Sequence, residues 1–171
     1  FVRQTLRGPM NIGVLSDTHS NPIPSQVLEA FKKVDTIIHA GDFCDVSVLK
    51  TLQGIKDVKA VFGNMDPAPI RKLFPAKQII ACGKFKIGLY HGEGPRAKIL
   101  ERMKEEFKKD KVDAVVFGHS HQPFNEKIGG VLYFNPGSPN DTISAPYCSY
   151  GILMVTEKGI VGKIVKLNND K

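Results

Sequence analysis

Hydrophobic and polar positions follow two rhythms along this chain. Short runs rich in Val, Ile and Phe, bounded by Gly, Asp or Asn, read as strands over 11–16 (NIGVLS), 35–40 (DTIIHA), 58–63 (VKAVFG), 85–91 (FKIGLYH) and 112–118 (VDAVVFG). Between several of them, apolar residues recur at helical spacing. Val27, Leu28, Phe31 and Val34 predict a helix over 25–34 with Ser25 as its cap. The pattern repeats over 46–55 and over 95–110, the latter opening on Pro95, as helices often do. Strands alternating with helices predict a largely parallel α/β core. After Gly118 the rhythm changes. Residues 124–128, 131–135, 149–155 and 160–167 are short strands separated by turns such as Gly129-Gly130, and they predict antiparallel hairpins. No repeat or linker divides the chain, so residues 10–171 are expected to form one domain. Residues 1–9 precede Met10 and are expected to be a tag or disordered tail outside the fold.

Composition changes this picture little. The 171 residues suffice for one domain with a core, and 42% hydrophobic with 24% charged is an ordinary globular balance. No apolar run approaches the roughly 20 residues of a membrane span, and nothing reads as a secretory signal. The net charge is +7, with two of the excess charges on Arg3 and Arg7. Much of the rest lies on the solvated face of the 95–110 helix, which reads as a solubility feature rather than a nucleic acid footprint. Cys44, Cys82 and Cys148 are an odd set without CxxC spacing. They suggest reduced thiols and a cytoplasmic location.

The polar residues carry more. In open α/β sheets, functional groups collect beyond the carboxyl ends of the strands. The first strand ends in SDTHS, with Asp17 and His19; the second in HAGDFCD, with Asp42 and Asp45; the third in FGNMD, with Asn64 and Asp66. The next strong strand ends in YHGEG, with His91, and the last before the hairpins in FGHSH, with His119 and His121. Four of the five histidines therefore fall at the same end of successive strands. Asp, Asn and His together suit Mn²⁺, Fe²⁺, Ni²⁺ or Zn²⁺. Even seven of these nine groups are too many for one catalytic ion with an open position. They suit two ions sharing a carboxylate, roughly 3.5–4 Å apart, which can stabilise both the attacking and the leaving oxygen of a displacement. If each segment is extended, Asp17 and His19 point the same way, as do His119 and His121 around the small Ser120.

DTH, GDFCD, GNMD, HG and GHSH resemble, in order and character, the motifs of the calcineurin-like metallophosphoesterases. GHSHQP and FNPGSP are most similar to the compact phosphodiesterase branch typified by the YfcE and Vps29 proteins. The resemblance implies a four-layer αββα sandwich with two central mixed β-sheets. It implies two divalent ions, Mn²⁺ before Ni²⁺, Fe²⁺ or Zn²⁺. Asp17, His19 and His121 would hold the first, Asn64, His91 and His119 the second, and Asp42 would bridge them. Asp42, Asn64 and His91 would be the catalytic core. A water between the ions, acidified toward pKa ~7, would attack the phosphorus of a small phosphoester substrate. The alternative implied is a non-catalytic, Vps29-like interaction module. A homodimer is also compatible with the family.

Several neighbours take lesser roles. Asp45 is expected to orient a ligand histidine or the GDFCD turn, and His39 to be a core histidine beside the site. Asn135, Gly137 and Ser138 should form a tight turn packed near it. Arg71, Lys72 and Arg96 lie in the loops expected to select substrate. Two positions depart from the family pattern. Met65 stands where many members carry a proton-donating histidine, and Glu93 where close relatives often carry another.

Overall fold

The computed structural model describes residues 8–168, and in it the two rhythms become ten strands and four α-helices. The first half contains β1 (Met10–Leu15), α1 (Ser25–Phe31), β2 (Thr36–His39), α2 (Val46–Gln53), β3 (Val58–Ala60) and α3 (Ala68–Leu73). The second contains β4 (Lys77–Cys82), β5 (Phe85–Tyr90), a 3₁₀ turn (Arg96–Lys98) running into α4 (Ile99–Glu106), and β6 (Ala114–Val116). It closes with β7 (Phe124–Ile128), β8 (Val131–Asn135), β9 (Ser149–Thr156) and β10 (Gly159–Lys166).

Two five-stranded mixed sheets result, ordered β10-β9-β1-β2-β3 and β4-β5-β6-β8-β7. The strand period of two sorts their side chains into layers. Ile12, Val14 and Ile38 of one sheet meet Ile87, Leu89, Ala114 and Val116 of the other in a buried core between the sheets. Ile37, Val58 and Ala60 face the opposite way and are covered by Val27, Phe31, Leu49, Leu52 and Ile70 of α1, α2 and α3. On the far side, Val115 and Tyr133 are covered by Ile99 and Met103 of α4 and by Phe107 just after it. The order helix, sheet, sheet, helix is the expected αββα sandwich. Where helices approach most closely the strands carry glycine. A Cβ on Gly13 would stand 2.7 Å from the Phe31 ring, and one on Gly88 would stand 2.5 Å from the Phe107 ring.

Several details differ from the sequence reading. Pro24, not Ser25, takes the cap position of α1, and no side chain caps that helix. β4 and α3 were not expected: β4 is an edge strand, and α3 is a short helix with Pro69 in its first turn and no clear periodicity. The helix expected from Pro95 starts as a 3₁₀ turn and becomes α only at Ile99. The chain after Gly118 is not purely antiparallel. β7–β8 and β9–β10 are hairpins, but β8 lies parallel to β6. That direction brings the residues after Asn135 to the same end of the sheet as those after β6. Of the expected tail, residues 1–7 lie outside the described residues, and Gly8 and Pro9 precede β1 without regular structure. The three cysteines are free thiols, and no helix among the described residues is long and apolar enough to cross a membrane.

Candidate metal centre

β1, β2 and β3 run parallel in one sheet, and β5, β6 and β8 in the other. The loops leaving their carboxyl ends meet. Asp17 donates its backbone N–H to Gly41 O (3.0 Å) and His19 to Asp42 O (3.1 Å), which ties the loop after β1 to that after β2. Gly118 N–H donates to His91 O (3.1 Å), tying the loops after β5 and β6. Ser138 Oγ donates to Asp17 O (2.8 Å) and joins the two sheets' loops.

The segments are not extended, contrary to the sequence reading. Asp17, His19, Asp42, His119 and His121 all have left-handed backbone, with φ of 58°, 46°, 59°, 67° and 58°. L-residues rarely hold this conformation, and its clustering marks sites where surrounding contacts outweigh local strain. The paired side chains converge because alternate residues take left-handed φ, not because a strand alternates. Close approach also demands glycine. A Cβ on Gly63 would fall 2.2 Å from Asp42 Oδ1, and one on Gly118 would fall 1.9 Å from Ser16 Oγ and 2.7 Å from Asp17 Oδ2.

Six of the seven predicted groups pack tightly, and His119 stands at their edge. Asp17 Oδ1 lies 3.2 Å from His121 Nε2, 3.6 Å from His19 Nε2 and 3.8 Å from His91 Nε2. Asp42 Oδ2 lies 3.2 Å from His91 Nε2 and 3.7 Å from His19 Nε2. Asn64 Oδ1 is 3.1 Å from His91 Nε2 and 3.3 Å from His119 Nδ1. Asp17, His19 and His121 form one compact donor set, and Asp17, Asp42 and His91 another. Asp17 is thus as central as Asp42, which alone was expected to span both positions.

Each imidazole is also held from outside. His91 Nδ1 donates to Ala40 O (2.7 Å) and His119 Nε2 to Gly94 O (2.8 Å). Carbonyls only accept, so these nitrogens carry the protons and the opposite ring nitrogens face the cluster. His121 Nδ1 donates to Asp141 Oδ2 (2.5 Å), and Cys44 Sγ lies 3.3 Å from His19 Nδ1. The inward nitrogens are Nε2 of His19, His91 and His121, and Nδ1 of His119.

This arrangement fits a cation. Asp17 Oδ1 is buried without a hydrogen-bond partner, although three imidazoles surround it. An orphaned buried carboxylate oxygen is costly unless something positive completes it. The titration of the cluster agrees. Burial would raise the Asp17 pKa, but the charge of His91 and contacts to His121 and His19 hold it well below the usual carboxylate range. Burial opposes protonation of His91, yet the Asp17 charge and the Asp42 contact push its pKa up. His121 is raised the same way, against burial, by Asp17 and then Asp141, with the Arg96 charge opposing. Protons and divalent ions compete for these nitrogens.

Other groups brace the centre. His39 is fully buried, stacked on Phe43 with 3.6 Å between centroids. Gly41 N–H donates to its Nδ1 (3.1 Å), so its proton lies on Nε2, toward Thr18 Oγ1 (3.1 Å). Burial pushes its pKa down to about 3, so it stays neutral, the core histidine expected. Asn135 Nδ2 donates to Gly118 O and Ser120 Oγ (both 3.1 Å), and Gly137 N–H donates to Asn135 Oδ1 (2.9 Å), the expected turn against the site. Asp45 is exposed and orients no histidine; it caps α2 by accepting from Ser47 N–H (2.7 Å). The bracing carboxylate is Asp66, which accepts from the backbone N–H of Asp42, Gly63 and Cys44. Arg71 is likewise occupied, donating to the carbonyls of Asp66, Asn64 and Gly63. Met65 contributes its backbone N–H to Asp42 Oδ1 (2.8 Å) while its side chain is 60% exposed. Asp141 carried no strand-end signal, because it lies in an irregular loop six residues past β8.

A cleft of about 410 Å³ opens beside Asp17, His19, His121, Asp141 and Ser144. A second depression, of about 270 Å³, is lined by Asn64, Arg71, Tyr90, His91 and Glu93. Bound divalent ions would be open to solvent from both sides.

Residues 10–158 match the calcineurin-like phosphoesterase superfamily domain. A probable metallophosphoesterase of Methanocaldococcus jannaschii is 37% identical over 158 residues, covering 87% of this chain and 76% of its own. A phosphodiesterase of the same organism is 29% identical over 143 residues, covering 75% and 83%. Among solved structures, one described as a novel archaeal phosphodiesterase aligns with a TM-score of 0.77 at 28% identity, covering 92% of this chain and all of that one. The vacuolar protein sorting 29 of Cryptosporidium parvum shares the fold at a TM-score of 0.80 and 23% identity, covering 96% and 94%. With its family motifs at the carboxyl ends of two facing sheets, the chain belongs to the calcineurin-like phosphoesterase superfamily.

Proposed function

We propose that the protein is a dinuclear metal-dependent phosphodiesterase. The observation that carries this reading is the pair of donor sets, Asp17, His19 and His121 and Asp17, Asp42 and His91, that share a buried carboxylate oxygen without a partner, with Asn64 and His119 bordering them through His91. The phosphodiesterase descriptions of a curated archaeal relative and of a solved archaeal structure support the choice of diester. Asp17, His19 and His121 would hold one ion, Asn64, His91 and His119 the other, with Asp42 and Asp17 between them. Mn²⁺ is the first choice. Bound ions would polarise phosphoryl oxygens and lower the pKa of water toward 7.

The chain's own residues do the rest. The outward hydrogen bonds of His91, His119 and His121 fix which ring nitrogen faces inward. Asp66 and Arg71 hold the loop that carries Asn64. Met65 cannot donate a proton, and its side chain is 60% exposed, so position 65 gives the leaving oxygen no help and its proton comes from water or another residue. Substrates with acidic leaving groups are favoured.

A Vps29-like, non-catalytic module is the second reading, supported by the fold shared with that protein. Retention of all seven groups favours catalysis. The deciding experiment assays metal-analysed protein with Mn²⁺ against phosphomonoesters, phosphodiesters and cyclic nucleotides. The reading expects diester cleavage that chelation abolishes and that Asp42→Asn reduces at least tenfold with the fold retained. No turnover by fully loaded protein would favour the module.

A further inference from the structure

Four cations lie in the segments that border the metal centre in sequence, Arg71 and Lys72 in α3 and Arg96 and Lys98 in the 3₁₀ turn, where Lys98 lines a separate depression beside Glu101 and Arg102. Arg71 is bound to three carbonyls and stacked on Phe62. Lys72 sits on the exposed side of α3. Arg96 is different. It leaves the segment that follows β5, two residues past Gly94, whose carbonyl holds His119. Its Nη1 donates to Ser144 Oγ (3.2 Å) on the opposite lip, in the loop between β8 and β9. Ser144 Oγ in turn bonds Asp141 Oδ2, which holds His121. Arg96 thus reaches from the His119 side of the centre to the wall of the cleft that Asp17, His19 and His121 line.

Its guanidinium has no carboxylate partner among the described residues, whereas nearby Arg102 is paired with Glu93 and Glu106. A guanidinium carries five donors in a planar fork suited to phosphate. Among the described residues the guanidinium makes one bond to protein, by Nη1, and the side chain is exposed. Glu93, the acid nearest in sequence, is engaged by Arg102. The metal centre itself would accept the anionic oxygens of the scissile phosphoryl group. A free, forked cation beside it has an anion of its own to meet.

We infer that Arg96 is a specificity-determining residue that binds a second phosphoryl group of the substrate. The substrate class is therefore a phosphodiester bearing another phosphate a few bonds from the scissile phosphorus. This rests on the phosphodiesterase reading and narrows it. Bidentate, charge-assisted contacts to phosphate are roughly twice as strong as neutral ones, so the pairing is expected to act mainly through KM.

The test compares an aryl ethyl phosphodiester with the same diester carrying a phosphate at the far end of the ethyl chain. The leaving group and scissile bond are then identical. Wild-type protein with Mn²⁺ should prefer the second substrate. Arg96→Gln should lower that preference, as the ratio of kcat/KM values, by about tenfold or more, chiefly through KM. Arg96→Lys should restore part of it. An unchanged ratio, or equal loss on both substrates, would show that Arg96 only straps the two lips together and would overturn the inference. If neither diester is cleaved, the phosphodiesterase reading fails separately. Arg96 is then judged by calorimetric titration of Mn²⁺-loaded protein with ethyl phosphate and with ethane-1,2-diol bisphosphate. Selective weakening of the bisphosphate by Arg96→Gln supports the assignment; identical affinities in both proteins contradict it.

Discussion

Asp141 shows how much of a candidate metal site can depend on a side chain that stands behind its ligand groups. Its carboxylate accepts the His121 Nδ1 proton and hydrogen bonds from Ser144. Burial would raise its pKa, but the Ser144 and His121 contacts hold it well below the usual range, so it stays ionised. Asp141→Asn keeps the shape and removes the charge. Partners of this kind are typically worth 10–100-fold in metal affinity. Calorimetric titration with Mn²⁺ should show a loss in that range; unchanged affinity would mean that His121 is positioned by packing alone. Met65 makes the opposite case, with its backbone used and its side chain free. Met65→His should leave stability unchanged, since the side chain is 60% exposed. General acid catalysis is worth about 10²–10⁴-fold when tuned, and a grafted imidazole should recover only part of that. The gain should appear on alkyl diesters and not on activated aryl ones. Equal slopes of log rate against leaving-group pKa in the two proteins would place residue 65 away from the leaving oxygen.

At the scale of elements, Asp45 and Asp66 exchange the roles that spacing alone suggests. Asp45 caps α2 from outside the site. Asp45→Ala should lower stability through loss of the cap and leave Mn²⁺ affinity as it is. Urea unfolding beside metal titration checks both, and a drop in affinity would return Asp45 to the centre. Gly63→Ala should do the reverse. The new Cβ would collide with Asp42 Oδ1, so Mn²⁺ binding and turnover should fall at least tenfold. Much of this layout was legible in the chain, because each parallel strand is an apolar run that ends in its functional residue. The parallel α/β core and the seven candidate groups at its strand ends followed from that, whereas the αββα order came from the resemblance to the family. What was hidden obeys other rules. β4 is an edge strand and α3 a short helix containing proline, so neither carries a strong period. The direction of β8 depends on its pairing with β6, not on its own residues. Asp141 is placed by an irregular loop. The left-handed backbone at Asp17, His19, Asp42, His119 and His121 is dictated by contacts between loops from both sheets, which no local pattern encodes.

For the whole molecule, the centre joins two sheets at their carboxyl ends, and its charge balance is also a stability term. His39 is neutral and fully buried, with its pKa pushed down to about 3 from 6.5. An unfolded chain would bind the proton that the folded one refuses. Its stabilising contribution is therefore complete above pH 6.5 and is lost as pH falls toward 3, by at most about 1.4 kcal/mol per pH unit. Metal-free protein unfolded in urea from pH 7 to pH 4 should lose stability more steeply than His39→Gln does. Parallel profiles would mean that His39 does not stay neutral in the fold. The most direct test of the central claim is the number of ions bound per chain. Mn²⁺ titration of metal-free protein, checked by elemental analysis after desalting, should reach two ions. Saturation at one, with all seven groups intact, would contradict the dinuclear centre and the chemistry built on it.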